Sequence, residues 1–348
     1  MKINTQKTPA VRSKKISGGK KPRVANPGPR AILVPVDFST AATETIAHAA
    51  ALAKATAGRV TLLHVMAPVR TAPALGELAG SIVTDDFVDP KIVTRRLQAL
   101  ARRSIPAAVR GELFLGEGDA GRVIATAAHD LAIDLIVLAT RAHTDLERLL
   151  LGSTADFVVR HSPCPVLAVP PRGSRKAKVR SAAAGRIRTV LVPVDLFEPS
   201  RHALRYAVAL ADRLTAKLTL LHVMPPLTTP RRRPLVVSRE NVEAGEGARA
   251  QLVQLAASEM RGRGPVALHV LVGDAAEQIV ESAARSGTNL IVVGTHGRGA
   301  LGRFLLGSTA ENIVRHAPCP VLVVRQPAPR PRRSSTAKLF FPVAPFLP

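Results

Sequence analysis

The sequence predicts an α/β protein made of two tandem, doubly wound domains, each with a five-stranded parallel sheet. Short apolar, mostly β-branched runs alternate with amphipathic segments of helical period, which is typical of parallel strands covered by helices on both faces. The same motifs occur twice along the chain. A length of 348 residues is enough for two ordinary hydrophobic cores.

The internal repeat sets the domain organisation. Leu33–Asp37 recurs as Leu191–Asp195 at an offset of 158 residues, and Leu151–Thr154 recurs as Leu306–Thr309 at an offset of 155. The difference corresponds to one short insertion or deletion between tandem copies. We therefore expect a basic disordered tail at 1–30, a first domain at 31–171, a basic linker at 172–187, a second domain at 188–326 and a Pro/Arg-rich C-terminal tail at 327–348.

Each copy alternates strands and helices. In the second copy we predict strands at 189–194, 217–223, 266–272, 290–293 and 321–324, and helices at 199–214, 239–260, 275–286 and 308–316. Right-handed crossovers between parallel strands then leave few topologies. In such sheets a ligand binds beyond the carboxyl ends of the strands, where the winding reverses and two strand-end loops meet. The two loops with suitable chemistry follow the first and fourth strands.

The net charge of +24 belongs mainly to the termini and the linker. Residues 1–30, 172–188 and 325–348 carry nine, seven and five Lys or Arg, respectively, and no acidic residue. Segments of this composition bury too little apolar surface to fold, so we expect them to be disordered. Two interpretations stay open. One is nonspecific attraction to nucleic acid, an anionic membrane or an acidic partner, and the other is a solvated extension.

The last ten residues, 339–348, are unusually apolar for a tail. They suit docking onto a partner or onto the chain itself, but we expect a free end.

Cysteine usage and hydropathy indicate an intracellular protein. Cys164 and Cys319 occupy matching Pro-Cys-Pro contexts in the two copies. Equivalent positions in two domains do not normally pair, so we expect buried, reduced thiols. The chain has no run of about 18 apolar residues and no apolar signal core. We therefore expect a soluble, cytoplasmic protein without a membrane span.

The glycine-rich stretch Gly294–Thr309 is the strongest functional signal. It connects an apolar predicted strand to a predicted helix, where missing Cβ atoms let phosphate oxygens approach backbone N–H groups. Gly302 and Gly307 have P-loop spacing, but the P-loop lysine is absent. A dinucleotide fingerprint beginning at Gly297 lacks the carboxylate expected about 20 residues further on. A third spacing runs through Gly294, Gly297, Gly307 and Ser308.

This third spacing resembles the ATP-binding signature of the universal stress protein family. The resemblance covers both copies, about 280 of the 348 residues, and leaves out the tails and the linker. It implies the fold of the adenine nucleotide alpha hydrolases, whose strand order 3-2-1-4-5 makes the first and fourth strands neighbours. It also implies an adenosine site at Pro193, Val194, Asp195 and Val223. The matching phosphate and ribose loop contains Gly294, His296, Gly297, Arg298, Gly307, Ser308 and Thr309.

The ligand implied by the resemblance is ATP, held largely by main-chain groups. We expect the phosphates to lie over the N–H groups of Gly297, Arg298 and residues 307–309, at the positive end of the helix that begins near Ser308. Arg298 adds a full positive charge. Asp195 is expected to accept a hydrogen bond from adenine or ribose, but Phe197 stands where many family members have Ser. The sequence leaves open whether Mg²⁺ accompanies ATP.

The first copy departs from this pattern. Opposite Gly294, Gly297 and Gly302 of the second copy stand Ala139, Ala142 and Glu147. A Cβ at a position of positive φ costs about 1 kcal/mol or more, and Glu147 brings a carboxylate towards the phosphates. Asp37 and Ser39 are retained. We infer that the first copy has lost most or all affinity for ATP, or holds a ligand without a triphosphate.

Structural roles compete with several of these functional ones. Asp37 and Asp195 also suit either the caps of the helices that follow them or the stabilisation of a turn. His64 and His222 lie in predicted strands and fit hydrogen-bonded core residues better than catalysts. No Cys/His group has zinc spacing, and no serine lies at a recognisable nucleophile elbow. We therefore predict no metal ligands and no catalytic residues.

Two classes of function follow. The preferred one is an ATP-binding regulatory protein of the stress response, in which occupancy of the second domain biases conformation or partner choice, with slow hydrolysis at most. The alternative is a scaffold that binds no nucleotide and acts through domain pairing and basic tails. A nucleotidyl-transferring enzyme rests on fold analogy alone. The resemblance also implies self-association through the last strands, within one chain or as a homodimer.

Overall fold

The computed structural model describes residues 28–66, 89–140, 151–171, 186–225, 239–260, 263, 266–295, 306–325 and 340–343. Within these ranges the chain forms two compact units. None of the helices in the described part of the chain combines the length and apolarity needed to cross a membrane.

The first unit is a three-layer α/β domain. Its parallel sheet has the strand order β3-β2-β1-β4-β5. A short 3₁₀ turn at Ala107–Val109 precedes β3. The elements are β1 (Ala31–Pro35), α1 (Thr40–Thr56), β2 (Arg59–Met66), α2 (Pro90–Ser104), β3 (Arg110–Glu117), α3 (Ala120–Asp130), β4 (Leu135–Ala139), α4 (Ser153–His161) and β5 (Val166–Val169).

The second unit repeats this architecture with the order β8-β7-β6-β9-β10, again parallel. Its elements are β6 (Thr189–Pro193), α5 (Glu198–Leu214), β7 (Lys217–Met224), α6 (Arg239–Glu259), β8 (Ala267–Val272), α7 (Ala275–Ser286), β9 (Leu290–Gly294), α8 (Ser308–His316) and β10 (Val321–Val324). The predicted fold class and the order 3-2-1-4-5 are confirmed in both units, and the element ends predicted for the second copy agree with the structure to within one residue.

The recurring Gly-Asp motif marks the turn between the third strand and the following helix. Gly118 has φ +121° and Gly273 has φ +147°, backbone conformations that side chains rarely adopt. The next residue caps the helix in each case: Asp119 accepts from the N–H of Arg122, and Asp274 from that of Glu277. The motif therefore recurs because both residue types are needed to start a helix directly after a strand.

Both cysteines are buried and unpaired, as the sequence predicts. Burial raises the pKa of the Cys164 thiol to about 12, and it does the same for Cys319. Thiols held this far from ionisation are poor nucleophiles and poor metal ligands. Their role is packing at the start of the last strand of each sheet.

The C-terminal tail does not behave as the sequence predicts. Instead of a free end, Phe340–Pro342 forms a further strand, β11, that pairs antiparallel with β3. The ring of Phe340 is only 8% exposed. The apolar residues of this segment favour burial against the rest of the chain. The Pro and Arg residues nearby gave the tail the composition of a free end.

Helix packing in the first domain depends on Gly121 of α3. A Cβ at this position would lie 2.7 Å from Cδ1 and 3.0 Å from Cβ of Phe157 in α4. At the equivalent positions of the second domain stand Ala276, which is larger than Gly121, and Asn312, which is smaller than Phe157. The two changes compensate each other in size between the domains.

We predict that Gly121→Ala lowers the free energy of unfolding by about 1 to 2 kcal/mol, because overpacking outweighs the gain in helix propensity. In a Phe157→Asn background the same change should cost less than about 0.5 kcal/mol, which a double-mutant cycle in urea would measure. Gly247→Ala is the matched control, since a Cβ there meets no atom within 4 Å. Equal costs in both backgrounds would contradict the packing argument.

Candidate functional site

A cavity of about 300 Å³ opens at the carboxyl end of the first sheet, between β1 and β4. This is the point where the winding of the sheet reverses, and its volume is at the lower end of the range for small-molecule sites. The residues that line it are Pro35, Val36, Asp37, Ala42, Thr45, Leu63, His64, Val65, Ala120, Ile124, Leu138, Ala139, Thr140, Gly152, Ser153, Thr154 and Ala155.

Asp37 lies at the mouth of this cavity, directly after β1. One carboxylate oxygen, Oδ1, accepts a hydrogen bond from the N–H of Ser39 at 2.9 Å and holds the turn before α1. Ser39, not Asp37, caps the helix, since its hydroxyl accepts from the N–H of Ala42 at 3.3 Å. The carboxylate is exposed. Its second oxygen has no protein partner within the described ranges and can therefore accept a hydrogen bond from a ligand.

The same turn is built in the second domain. Oδ1 of Asp195 accepts from the N–H of Phe197 at 3.0 Å. Phe197 offers no capping side chain, and the hydroxyl of Ser200 instead donates to the carbonyl of Phe197. Neither aspartate is therefore a helix cap, but each stabilises the turn before a helix, which is the other structural role that the sequence left open.

The residue after each aspartate is held in an unfavourable backbone conformation. Phe38 has φ 60° and Leu196 has φ 68°, the left-handed region in which a large side chain is uncommon. Residues strained in this way cluster at binding sites, where surrounding contacts hold them. In the first domain the Phe38 ring lies 4.6 Å from the His64 ring, and the Arg96 guanidinium lies 4.4 Å from the centre of the Phe38 ring.

His64 is hydrogen-bonded, as the sequence predicts for a core histidine, but it also lines the cavity. Its Nδ1 lies 2.8 Å from the carbonyl oxygen of Val36. Because a carbonyl only accepts, Nδ1 carries the proton, and the neutral ring keeps Nε2 as an acceptor. Burial lowers the pKa of His64, and the positive charge of Arg96 adds to this, against opposing effects of the Val36 hydrogen bond and of Asp37.

The imidazole in this position is a site residue that sequence reasoning did not assign to ligand binding. The recurrence of this histidine in both copies was the sequence signal that could have indicated a role beyond packing. His222 repeats the geometry, with Nδ1 2.8 Å from the carbonyl oxygen of Val194.

The opposite wall of the cavity is the N-terminus of α4. Its cap residue, Gly152, has no side chain to satisfy the first helical N–H groups, and Ser153 and Thr154 are exposed. Such a terminus presents free donors and the positive end of the helix dipole. In the second domain Gly307 has the same role before α8, with backbone angles within 1° of those of Gly152.

Two parts of the predicted phosphate site need correction. The N–H of Gly307 is not available, because it donates to the carbonyl of Thr295 at 2.9 Å. The donors left at this helix start are the N–H groups of Ser308, Thr309 and Ala310. Gly307 has φ −60° and Gly294 lies in the extended backbone of β9, so neither position needs positive φ. Ala139 opposite Gly294 therefore carries no backbone penalty.

The structure describes eight of the eleven predicted site residues: Pro193, Val194, Asp195, Val223, Gly294, Gly307, Ser308 and Thr309. They lie at or just after the end of β6, at the end of the neighbouring strand β9, on β7, and at the cap and start of α8. The other three, His296, Gly297 and Arg298, lie outside the described residues, as do Gly302, Ala142 and Glu147.

Known proteins match the chain over both domains. The sequence profile of the universal stress protein family matches residues 29–170 and 186–325. A universal stress protein of Mycolicibacterium smegmatis is 27% identical over 304 residues, which cover 84% of this chain and 96% of that one. A single-domain universal stress protein from Thermus aquaticus is 33% identical over 140 residues, covering 40% of this chain and 98% of its own.

Among solved structures, a universal stress protein from Archaeoglobus fulgidus superposes with a TM-score of 0.58 at 21% identity, over 85% of this chain and 98% of that one. At this identity the likeness concerns the fold. The two profile matches, which together span most of the sequence, show that the chain belongs to the universal stress protein family as a tandem, two-domain member.

Proposed function

We propose that this protein binds adenine nucleotides and acts as a nucleotide-responsive regulator, with ATP bound mainly by the second domain. One observation carries the proposal. In the first domain three features line one cavity at the reversal point of the sheet: an aspartate whose second carboxylate oxygen has no partner among the described residues, a neutral imidazole and an uncapped helix start. The second domain repeats the aspartate turn, the imidazole bonded through Nδ1 and the uncapped helix start on equivalent elements.

The chemistry of these groups suits a nucleoside followed by phosphates. Asp37 and Asp195 can accept hydrogen bonds from hydroxyl or amino groups, and the imidazole offers a second acceptor. The helix start binds anions through backbone N–H groups, and Ser and Thr hydroxyls at its first two positions add donors. One end of the site therefore prefers a neutral, hydrogen-bonding group and the other prefers negative charge.

We assign the triphosphate to the second domain because of the loop that joins β9 to α8. Arg298 and four glycines occupy it, whereas the corresponding loop of the first domain contains Glu147. A carboxylate near the phosphates opposes binding, and an arginine favours it. The small cavity of the first domain is consistent with a ligand that lacks a triphosphate, such as a nucleoside or a nucleoside monophosphate.

We predict about one ATP site per chain in titration calorimetry of the full-length protein. Thr309→Glu should weaken ATP binding at least about tenfold, because a carboxylate at the second position of α8 repels phosphate while remaining favourable for the helix itself. Thr154→Glu, at the equivalent exposed position of α4, is the matched control and should change ATP affinity by less than about twofold.

Three results would separate the alternatives. Two equal sites would contradict the assignment of ATP to the second domain. Unchanged affinity in Thr309→Glu would contradict the role of the helix start. No binding in the wild-type chain would favour the scaffold, and phosphate release measured in the same samples would distinguish a binder from an enzyme.

We predict that His64 titrates below the ordinary histidine value of about 6.5 and is protonated on Nδ1 at neutral pH. Because the pKa is lower in the folded state, the unfolded state binds the proton first as the pH falls. The free energy of unfolding should therefore decrease below about pH 6.5, and the difference between wild type and His64→Gln isolates this contribution. NMR of the imidazole nitrogens measures the tautomer directly, and a proton on Nε2 would contradict the geometry.

A further inference from the structure

β3 is the outer strand of the first sheet, and its free edge is closed by residues from the far end of the chain. β11 pairs with it antiparallel, with Phe340 opposite Gly116 and Pro342 opposite Phe114. The register continues past β11, since the N–H of Val343 donates to the carbonyl of Leu113 at 2.9 Å. An exposed strand edge has unpaired backbone groups that accept an extended peptide in this way.

A specific side-chain contact accompanies the backbone pairing. Phe340 lies opposite a glycine, so its ring can lean over the strand, and it packs edge to face on Phe114 with the ring centres 5.6 Å apart. Aromatic residues placed across from edge glycines stabilise sheets in this manner. The next residue, Phe341, points to the other face and is 43% exposed. The two adjacent phenylalanines therefore differ sharply in environment.

Pro342 occupies a position at which its missing N–H removes no hydrogen bond to β3. Val343 is hydrogen-bonded to β3, and in an antiparallel pair the backbone of the preceding residue points away from the partner strand. The new outer edge is thus short and contains a proline, two features that prevent a further strand from adding.

The equivalent edge of the second domain lacks both recognition features. β8 has His269 at the position of Phe114 and Leu271 at the position of Gly116. Leu113–Gly116 are all buried where β11 covers this edge, and the matching residues 268–271 are partly buried or exposed. The edge of β3 therefore offers a glycine and a phenylalanine ring to an added strand, and the edge of β8 offers neither.

We propose that the outer edge of β3 is a binding site for an extended peptide with an aromatic residue opposite Gly116, and that its ligand is the chain's own C-terminal segment. The segment is a separable ligand because β11 has only three residues, and 15 residues lie between it and Val324 at the end of β10. A short ladder of this kind opens locally at low cost.

The test uses two full-length variants, Phe340→Asp and Phe341→Asp, and a fluorescent peptide of residues 337–348. Phe340→Asp should release its own segment and bind the wild-type peptide. In the wild-type chain and in Phe341→Asp the edge of β3 stays occupied. Both should therefore bind the peptide at least about tenfold more weakly than Phe340→Asp does. A peptide that itself carries Phe340→Asp should fail to bind any of the three chains. Equal binding to the two variants, or no binding to Phe340→Asp, would overturn the proposal.

Hydrogen exchange provides a second measurement that does not require the peptide. The amides of β3 that face β11 should exchange faster in Phe340→Asp than in Phe341→Asp, while amides between β1 and β2 stay protected in both. Phe340→Ala removes the ring without adding charge. Its β3 amides should also exchange faster than those of Phe341→Asp, but by a smaller factor than in Phe340→Asp. Unchanged exchange at β3 in both Phe340 variants would count against the proposal in the same way as absent peptide binding.

Discussion

A single main-chain hydrogen bond in each domain fixes the geometry on which the site depends. The N–H of Gly152 donates to the carbonyl of Thr140, and the N–H of Gly307 donates to that of Thr295, both at 2.9 Å. Each bond ties the first residue before a helix to the residue just after the fourth strand. The free donors of the helix start are thereby held beside the carboxyl end of the first strand, whatever the loop between them contains.

The two copies share the backbone framework of this region and differ in the side chains around it. The turn at the aspartate, the imidazole bonded to the first-strand loop and the uncapped helix start recur with nearly the same geometry. The differences lie around them. Ser39 caps α1 whereas Phe197 cannot cap α5, and the loops that follow β4 and β9 differ in charge. Duplication has therefore kept this framework and varied the residues around it.

The sequence was sufficient for the fold because its signals are local or periodic. Apolar runs located the strands, the repeat located the domains, and matched Pro-Cys-Pro contexts indicated buried thiols. It was not sufficient for groups whose role depends on a distant partner. Nothing near Gly307 in sequence reveals that its N–H is taken by Thr295, and a Leu-Leu-His-Val strand does not show that His64 borders a cavity.

The backbone conformation of the glycines could not be predicted from the sequence either. Comparison of the two copies suggested that Gly294 needs positive φ, yet Gly294 lies in extended backbone that any residue can adopt, as does Gly307. At Gly118 and Gly273 φ is strongly positive, and the reason is the turn between the third strand and the helix that follows it. A glycine motif thus reports close approach or strain, and only coordinates tell which.

The C-terminal strand has a consequence for how the chain folds. The sheet of the first domain is complete only when Phe340 reaches β3, yet the whole second domain lies between them in sequence. During synthesis the first domain must fold with the edge of β3 and the ring of Phe114 uncovered. An uncovered apolar edge invites pairing with other chains until a strand covers it. The tail therefore pairs last, with a domain that is otherwise folded, and its proline prevents a further strand from adding to the new edge.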